Sequence, residues 1–566
     1  MEKIPLSRHP NPYFERKRYF SLNGEWDFII DKQAGFPSSY NEKILVPYSV
    51  ETELSGINKR ISKDDFLHYK KSFVVPKEYE NYRLILHFEN VDQVSHVYFN
   101  KKYLGTNFGG YLPFEFDLGK CQGENVIEVI CSDDTDSPIY PRGKQCNKNK
   151  GIWYTPTSGI YGSVYIEAVP DQYIKSLKID QDYDLKKATF KIDYPGNNEE
   201  ISIEISNDNN LLTKAIFSKE GEACIDFSSF FYPWSPEEPS LYSIRIFGND
   251  DEVFSSFGFR KFSSIQYKGH NVFALNNKPY FLSGVLDQGY FPKGGLTPSS
   301  FEDYENDIRA MKSYGFNCLR KHIKVEMNMF YYLCDKLGMI VMQDFVNGGA
   351  KYKDFLIYTA PFISYKFNDT KTYSLLGRKL KESRYFFESS ITPFLTHFQN
   401  QTCIAIFTLF NEGWGQFDAV RLSNECKPNL NGRLLDSTSG WYDQGCGDFY
   451  SRHIYFKKIK IKPKDNRITS LTEFGGYSFE ASKVNKKHFG YGKCKTKEEL
   501  NKKIKDVYLN EVIPCKENNG LSIAIYTQLS DVEGEINGLL NFDRSISKAD
   551  KDLLNELNRK LRFNND

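Results

Sequence analysis

Two glutamates far apart in the chain each follow a short run rich in apolar and β-branched residues. Residues 404–410 are all apolar, β-branched or aromatic and precede Asn411-Glu412, and residues 468–472 directly precede Glu473; glycine comes soon after each glutamate. Such runs are typical of strands buried on both faces of a parallel sheet. Since α/β barrels carry their chemistry at the C-terminal ends of their strands, the two segments predict a pair of carboxylates facing one pocket.

The elements that must position these glutamates follow residue 273, where strand-like and helix-like segments alternate. Phe301, Tyr304, Ile308 and Met311 have helical spacing, and further helices are predicted near 327–336 and 547–561. Eight strands are predicted, the number that a closed barrel needs: 280–286, 316–320, 339–344, 404–412, 434–441, 449–456, 468–475 and 521–529. The connection 441–449 is too short for the usual crossover helix.

The first 264 residues predict β structure throughout. Short alternating runs separated by Gly, Asn, Asp and Pro over 19–169 are typical of a sandwich. Within them, 133–151 is a polar loop too long to be idle in a compact domain. A second alternating segment predicts an immunoglobulin-like sandwich. We therefore expect three domains: a jelly-roll-like domain over 1–170, an immunoglobulin-like domain over 171–264 and a (β/α)8 barrel over 265–566.

Composition excludes several partner classes. The 566-residue chain has a formal charge of +1, from 74 basic and 73 acidic residues, so no global field favours nucleic acid or an anionic membrane. No apolar run is long enough to span a bilayer, and the N-terminus has no apolar leader. Eleven scattered cysteines without a CxxC pair are typical of reduced thiols. We expect a soluble cytoplasmic protein without membrane or nucleic-acid partners.

Several short motifs, taken in order and spacing, carry a resemblance that spans nearly the whole chain. The chain resembles glycoside hydrolase family 2, the family of β-galactosidases, β-glucuronidases and β-mannosidases. The family's architecture is a jelly roll, an immunoglobulin-like domain and a (β/α)8 barrel, in the order predicted above. The motifs that carry the resemblance are Leu22-Asn23-Gly24-Glu25-Trp26, Ser158-Gly159-Ile160-Tyr161-Gly162, Leu282-Ser283-Gly284-Val285, Asn317-Cys318-Leu319-Arg320-Lys321-His322, Phe410-Asn411-Glu412 and Thr472-Glu473-Phe474-Gly475.

The resemblance implies retaining hydrolysis of a glycosidic bond. It assigns Glu412 as acid/base and Glu473 as nucleophile. Retaining enzymes hold two carboxyl groups about 5–5.5 Å apart, one attacking the anomeric carbon while the other protonates the departing oxygen. The two groups must therefore differ in pKa, and Glu473 is expected to be the ionised one.

The same resemblance suggests further sugar-site residues. Arg320 matches a cation beside the nucleophile, and Tyr455 could hydrogen-bond that nucleophile. Asn411 matches the donor to the sugar 2-hydroxyl, and His322 matches a histidine that contacts sugar. Arg320 could instead belong to a structural ion pair, and His322 could be a core histidine.

Three other strand-end residues are weaker candidates for sugar binding. Trp441 and Tyr526 could form an apolar platform for a pyranose, or could simply pack in the core. Asp287 could bind sugar hydroxyls or close a turn. A homo-oligomer is possible, since many relatives form dimers or tetramers.

Departures from the family pattern bear on the sugar. The magnesium ligands of large bacterial β-galactosidases are missing around 341–351, so no metal or other cofactor is expected. The lysine with which β-glucuronidases hold the uronate carboxylate is absent near 535–538, which disfavours a glucuronide because an unpaired buried carboxylate is costly. Asp287 or Gln288 replaces the β-galactosidase strand-one histidine. A β-galactosidase is the nominal assignment; β-mannosidase and β-glucuronidase are alternatives, and a non-catalytic carbohydrate-binding protein is the alternative of another class.

Overall fold

Eight parallel strands form the barrel in the computed structural model, which describes residues 4–196, 200–358, 367–481 and 488–563. Their order around the sheet is β5-β4-β3-β2-β1-β8-β7-β6. Between β5 and β6 the ring closes through local contacts such as Asp448 N to Leu435 O at 2.8 Å. The strands are β1 Leu282–Asp287, β2 Cys318–Lys321, β3 Ile340–Asp344, β4 Ile404–Asn411, β5 Leu434–Ser439, β6 Phe449–Ile454, β7 Ile468–Gly475 and β8 Ile523–Thr527.

The eight predicted strands are all confirmed, and burial explains why they could be recognised. Every residue of β4 and of β7 is buried, as the apolar runs predicted. In the described residues, eight α-helices surround the ring; none lies between β5 and β6, as the short connection indicated. They are α1 Phe301–Ser313, α2 Asn328–Leu337, α3 Asp354–Tyr358, α4 Lys381–His397, α5 Ala419–Cys426, α6 Lys497–Val507, α7 Ile513–Asn519 and α8 Lys551–Leu561.

Strand β7 carries one extra residue relative to both of its neighbours. Leu471 pairs with Arg452 of β6 and the next pair is Glu473 with His453, so Thr472 has no partner there. The pairing with β8 shifts over the same residues. A bulge places two consecutive side chains on one face of a strand. Thr472 and Glu473 both face the barrel interior for this reason.

Two β-sandwiches precede the barrel. In the first, a six-stranded sheet faces a four-stranded sheet around Trp26, Tyr69 and their apolar neighbours. The six strands are Glu42–Val46, Gly24–Asp31, Phe66–Val74, Glu124–Ser132, Val94–Phe99 and Lys102–Phe108, and the four are Tyr19–Ser21, Val164–Val169, Arg83–Phe88 and Phe114–Lys120; Val91–Asp92 pairs with Gly159–Ile160.

The second sandwich has sheets of three and four strands with a separate core around Phe190, Phe227 and Tyr242. Its strands are Ser176–Asp182, Lys187–Asp193 and Glu222–Asp226 in one sheet and Asn210–Ile216, Ser202–Asn207, Tyr242–Gly248 and Asp251–Phe257 in the other. A small sheet of Phe262–Tyr267, His270–Leu275 and Lys278–Pro279 leads into the barrel, and Tyr477–Phe479 pairs with Tyr491–Cys494 beside it. In the part of the chain described, no helix is long and apolar enough to cross a membrane.

Candidate active site

Backbone conformation at two strand ends brings the two predicted glutamates together. Glu412 follows β4 with a left-handed φ of +51°, and its N–H donates to Ser439 O at the end of β5 (3.0 Å). Such a conformation is unfavourable for a residue with a side chain and is typical of functional sites. Glu473 is turned inward by the bulge in β7. Both side chains are buried at the C-terminal mouth of the barrel.

His453, at the end of β6, lies between the two carboxylates. Its Nδ1 is 2.8 Å from Glu412 Oε1 and 3.5 Å from Glu473 Oε1. One oxygen of each carboxylate and a nitrogen of His453 all lie within 4.8 Å of one another. No local sequence pattern marks His453 as a site residue, because it is a lone histidine in a strand.

Arg320, at the end of β2, is fully buried and makes six hydrogen bonds, five to oxygen atoms and one to His453. It donates to both carboxylate oxygens of Asp344 (3.1 and 3.0 Å), to Glu473 Oε1 (3.0 Å), to Thr472 O (3.1 Å) and to Asn411 Oδ1 (2.8 Å). Arg320 therefore belongs to a buried ion-pair cluster that includes Glu473, and its role in sugar binding stays a prediction. The guanidinium fixes the orientation of Glu473 and of the Asn411 amide.

Tyr455, just beyond β6, donates its phenolic O–H to Glu473 Oε2 and is 2.9 Å from Thr527 Oγ1. Its ring stacks on Tyr491 at a centroid distance of 3.9 Å. Each oxygen of Glu473 thus accepts a hydrogen bond, one from Arg320 and one from Tyr455. These contacts favour the ionised form of that carboxylate.

The surroundings of Glu412 and Glu473 give the two carboxyl groups different pKa values. Burial and the neighbouring charge of Glu473 hold the pKa of Glu412 well above its usual range, although Lys144 and Arg320 oppose this. Burial also raises the pKa of Glu473, but Arg320 and the Tyr455 hydrogen bond counteract it. Glu412 is therefore the better proton donor and Glu473 the better anion.

The protonation of His453 follows from its neighbours. Burial, Arg320 and Arg452 hold its pKa well below the usual range, so the ring is neutral. Arg320 Nη1 lies 3.3 Å from Nε2 and can only donate, so Nε2 accepts and Nδ1 carries the proton. The Nδ1–H consequently donates to Glu412 and positions that carboxyl group.

Asn411 and His322 each direct one polar atom into the pocket. Asn411 Nδ2 and His322 Nε2 are buried and have no hydrogen-bond partner among the described residues. Since Asn411 Oδ1 accepts from Arg320, its amide nitrogen remains a donor for a ligand oxygen. Burial and Lys144 hold the pKa of His322 well below its usual range, so this ring is also neutral.

A relay of side-chain amides fixes the His322 ring. Asn537 donates to Glu535 (3.1 Å), Gln528 donates to Asn537 (2.8 Å), and Gln288 donates to Gln528 (2.7 Å). Gln288 Oε1 is then left to accept from His322 Nδ1 (2.9 Å). His322 Nε2 is therefore an acceptor that faces the pocket.

The two aromatic candidates for a sugar platform, Trp441 and Tyr526, lie on different sides of the barrel wall. Trp441 is partly exposed beside the site, with its ring 6.2 Å from that of His453, which suits a platform. Tyr526 is fully buried and packs edge-on against Phe474 outside the barrel interior, so the platform interpretation of Tyr526 is wrong. Residues in β8 alternate between the two faces, and Tyr526 lies on the outer one.

Protein donors hold both oxygens of Asp287, which favours its structural interpretation over sugar binding. Oδ2 accepts from Lys321 Nζ at 2.6 Å and Oδ1 accepts from Gly289 N at 2.9 Å. Burial disfavours its charge, yet Lys321 lowers the pKa of Asp287 below its usual range. Lys321 also contacts Glu326, so Asp287 belongs to a structural ion-pair cluster.

An Asn-x-Lys tripeptide elsewhere in the chain, Asn558-Arg559-Lys560, could have supplied the missing lysine, but it lies in α8, away from the mouth. Asn558 contacts Ser283 and Tyr314, and Lys560 pairs with Glu556 on the surface. It does not supply a cation to the pocket. A cation comes instead from Lys144, in the loop 133–151 of the first sandwich. Its Nζ lies 5.4 Å from the ring of Trp414, just after Glu412. No local sequence pattern marks this lysine as a site residue.

A metal ion could occupy one position in this arrangement. Glu412, His453 and Glu473 offer three ligand atoms within 4.8 Å. Nitrogen and oxygen ligands of this kind suit Zn²⁺. An ion bound there would occupy both carboxylates and leave neither free for acid or nucleophilic chemistry, so the arrangement gives a metal no supporting role in hydrolysis.

Comparison with known proteins gives three concordant results. Residues 36–170 match the family described as "Glycosyl hydrolases family 2, sugar binding domain". The β-galactosidase of Thermoanaerobacter pseudethanolicus is 26% identical over 360 residues, covering 57% of this chain and 46% of that protein. The β-galactosidase of Thermoanaerobacterium thermosulfurigenes is 24% identical over 361 residues, covering 58% and 48%. The chain thus aligns with about half the length of these relatives.

Solved structures share the fold over almost the whole chain. A β-glucuronidase from an uncultured Clostridium species superposes with a TM-score of 0.75 at 16% identity, covering 97% of this chain and 99% of that one. A family 2 β-galacturonidase from Eisenbergiella tayi, bound to galacturonate, gives a TM-score of 0.72 at 16% identity, covering 98% and 99%. The order of two sandwiches followed by a (β/α)8 barrel is common to them.

Proposed function

Because the chain belongs to glycoside hydrolase family 2, we propose that it is a retaining exo-β-glycosidase that removes terminal β-linked sugars. Glu473 attacks the anomeric carbon while Glu412 gives its proton to the departing glycosidic oxygen. Glu412, now a carboxylate, then takes a proton from water, whose oxygen displaces Glu473 and restores both groups. The substrate is a carbohydrate oligosaccharide or glycoside.

The spacing of the two carboxylates is the observation that carries this proposal. One oxygen of Glu412 and one of Glu473 lie within 4.8 Å, which suits the short separation of retaining enzymes. Inverting enzymes need about 6.5–9.5 Å to admit a water molecule. The difference in pKa between Glu412 and Glu473 supports the same division of roles.

The remaining polar atoms of the pocket support specific contacts with a sugar. Asn411 Nδ2 is oriented to donate to the 2-hydroxyl, a hydrogen bond that strengthens in the transition state. His322 Nε2 is oriented to accept from another hydroxyl. Trp441 offers a partly exposed ring for the apolar face of a pyranose. These atoms favour catalysis on a bound sugar over a purely structural role.

We propose two candidates for the sugar that the enzyme removes. A β-galactoside is the first candidate, because the curated relatives of similar sequence are β-galactosidases. A β-uronide is the second, because Lys144 brings a cation to the pocket and removes the objection raised by the missing lysine near 535–538. We also propose a cytoplasmic location, since all eleven cysteines are free thiols.

A panel of nitrophenyl β-glycosides tests the proposal with wild type and Glu473→Ala. The panel contains the galactoside, glucuronide, galacturonide, mannoside, glucoside and arabinoside. We expect wild type to hydrolyse one sugar of the panel with the highest kcat/KM, and the variant to lose several orders of magnitude in kcat on that sugar. Azide should restore turnover in the variant and give the inverted glycosyl azide. Absence of turnover on every sugar would favour a carbohydrate-binding protein instead.

A further inference from the structure

The loop 133–151 of the first sandwich is fixed across the mouth of the barrel. The N–H groups of Arg142 and Gly143 donate to Asn347 O, beyond β3, at 2.9 and 3.1 Å. Gly143 has φ +59°, and a β-carbon there would lie 2.7 Å from Ile323 O, beyond β2. This close approach requires glycine. The loop therefore presents its next residue, Lys144, to the catalytic pocket in a defined position.

Lys144 is a buried cation at the edge of this pocket. The residue is 6% exposed, and its Nζ lies 5.4 Å from the ring of Trp414 and 5.5 Å from that of Tyr154. Trp414 follows Glu412 by two residues, and its ring is 6.3 Å from that of His322. The positive charge of Lys144 also acts to lower the pKa of Glu412. These relations place the ammonium group beside the sugar subsite.

The ammonium of Lys144 lacks a counter-ion, unlike the buried cations Arg320 and Lys321 of β2. Arg320 pairs with Asp344 and Glu473, and Lys321 pairs with Asp287. Within the ranges that the structure describes, no carboxylate lies within 4 Å of Lys144 Nζ, and the ammonium group donates no hydrogen bond to a protein acceptor. Burial of a charge without a partner is costly, and its aromatic neighbours offset that cost only in part.

Three buried donors, one on the loop of Lys144 and two at the end of β4, also lack a hydrogen-bond partner among the described residues. Trp414 Nε1 is a buried donor without a hydrogen-bond partner in the described part of the chain, as is Arg142 Nε on the same loop. Asn411 Nδ2 adds a third such donor. A neutral sugar could use single donors of this kind. The ammonium group is better matched by an anion.

We propose that Lys144 is a specificity-determining residue that binds an anionic substituent of the substrate sugar, most simply the carboxylate of a β-uronide. This inference rests on the proposed function, since it concerns the same subsite. The cation comes from the first sandwich and not from the barrel. A sugar phosphate ester would present the same negative charge, and the experiment separates the two sources.

The test compares acidic and neutral substrates in wild type and in Lys144→Met, Lys144→Gln and Lys144→Arg. Nitrophenyl β-glucuronide and β-galacturonide carry a carboxylate, nitrophenyl β-galactoside 6-phosphate carries an ester, and nitrophenyl β-galactoside is neutral. Lys148→Met, which removes an exposed lysine of the same loop, is the matched control. Circular dichroism and the melting temperature establish that each variant is folded.

We expect wild type to prefer an acidic sugar. In Lys144→Met and Lys144→Gln, kcat/KM for that sugar should fall relative to the neutral galactoside by roughly one to two orders of magnitude, the scale of a charge-assisted hydrogen bond. Lys144→Arg should retain part of the preference, and Lys148→Met all of it. Whichever of the carboxylate and phosphate substrates has the higher kcat/KM identifies the anionic group that Lys144 binds.

Two results would overturn the inference while leaving the proposed function intact. One is turnover of the neutral galactoside without turnover of any acidic sugar. The other is an equal loss on acidic and neutral sugars in Lys144→Met with a shifted pH profile, because Lys144 would then only tune the two glutamates. Absence of turnover on every substrate would instead contradict the proposed function, and this inference with it.

Discussion

Removal of the Tyr455 hydroxyl should move one limb of the pH profile and leave the other in place. Glu473 must be ionised to attack, so activity is lost as pH falls through its pKa. Tyr455→Phe removes a donor that favours this ionised form. A hydrogen bond to a charged group contributes about 1.5–3 kcal/mol, and one pKa unit corresponds to about 1.4 kcal/mol, so the acidic limb should rise by about 1–2 pH units.

The basic limb provides an internal reference for the same experiment. It reports the loss of the Glu412 proton as pH rises through the raised pKa of that group, and Tyr455 does not contact Glu412. The assay is kcat/KM against pH for the best aryl glycoside of the panel. Tyr450→Phe, a half-buried tyrosine elsewhere on β6, is the matched control. An unmoved acidic limb, or equal movement of both limbs, would refute the assignment of Glu473 as the anion held by Tyr455.

Three further outcomes follow from the same geometry. Glu412→Gln should lower kcat by about 10²–10⁴-fold on glycosides with poor leaving groups and much less on dinitrophenyl glycosides, which need no proton; equal losses on both would contradict the acid role. Zn²⁺ should inhibit the enzyme by binding Glu412, His453 and Glu473. EDTA should not reduce activity, and a loss of activity in EDTA would contradict the expectation that no metal is required. Tyr526→Phe should leave kcat/KM unchanged, because Tyr526 packs outside the pocket; a large loss would restore its sugar-binding interpretation.

The barrel could be predicted because each strand is marked locally. Runs rich in apolar and β-branched residues identify strands buried on both faces, and Glu412 and Glu473 follow two of them. The faces of individual residues were harder to predict. Tyr526 and Asp287 also lie at strand ends, but one faces outward and the other is held by Lys321, and strand periodicity alone does not give the register of a barrel.

Two residues of the site could not be recognised from local patterns. Lys144 contacts the pocket from another domain, 268 positions before Glu412 along the chain, and only its loop was marked as unusually long. His453 depends on the register shift beside it, which aligns it with Glu473 in place of Thr472. Such contacts arise from tertiary packing. Their role becomes visible only when distances between elements are known.

Trapping of the glycosyl-enzyme tests the division of roles between Glu412 and Glu473 most directly. A 2-deoxy-2-fluoro β-glycoside with a dinitrophenyl leaving group, in the sugar series that wild type hydrolyses, should accumulate as a covalent adduct. Mass spectrometry of the intact protein and of its peptides should show one sugar per chain, attached to Glu473. An adduct on Glu412, or turnover of the parent glycoside with inversion and without any adduct, would contradict the proposed mechanism.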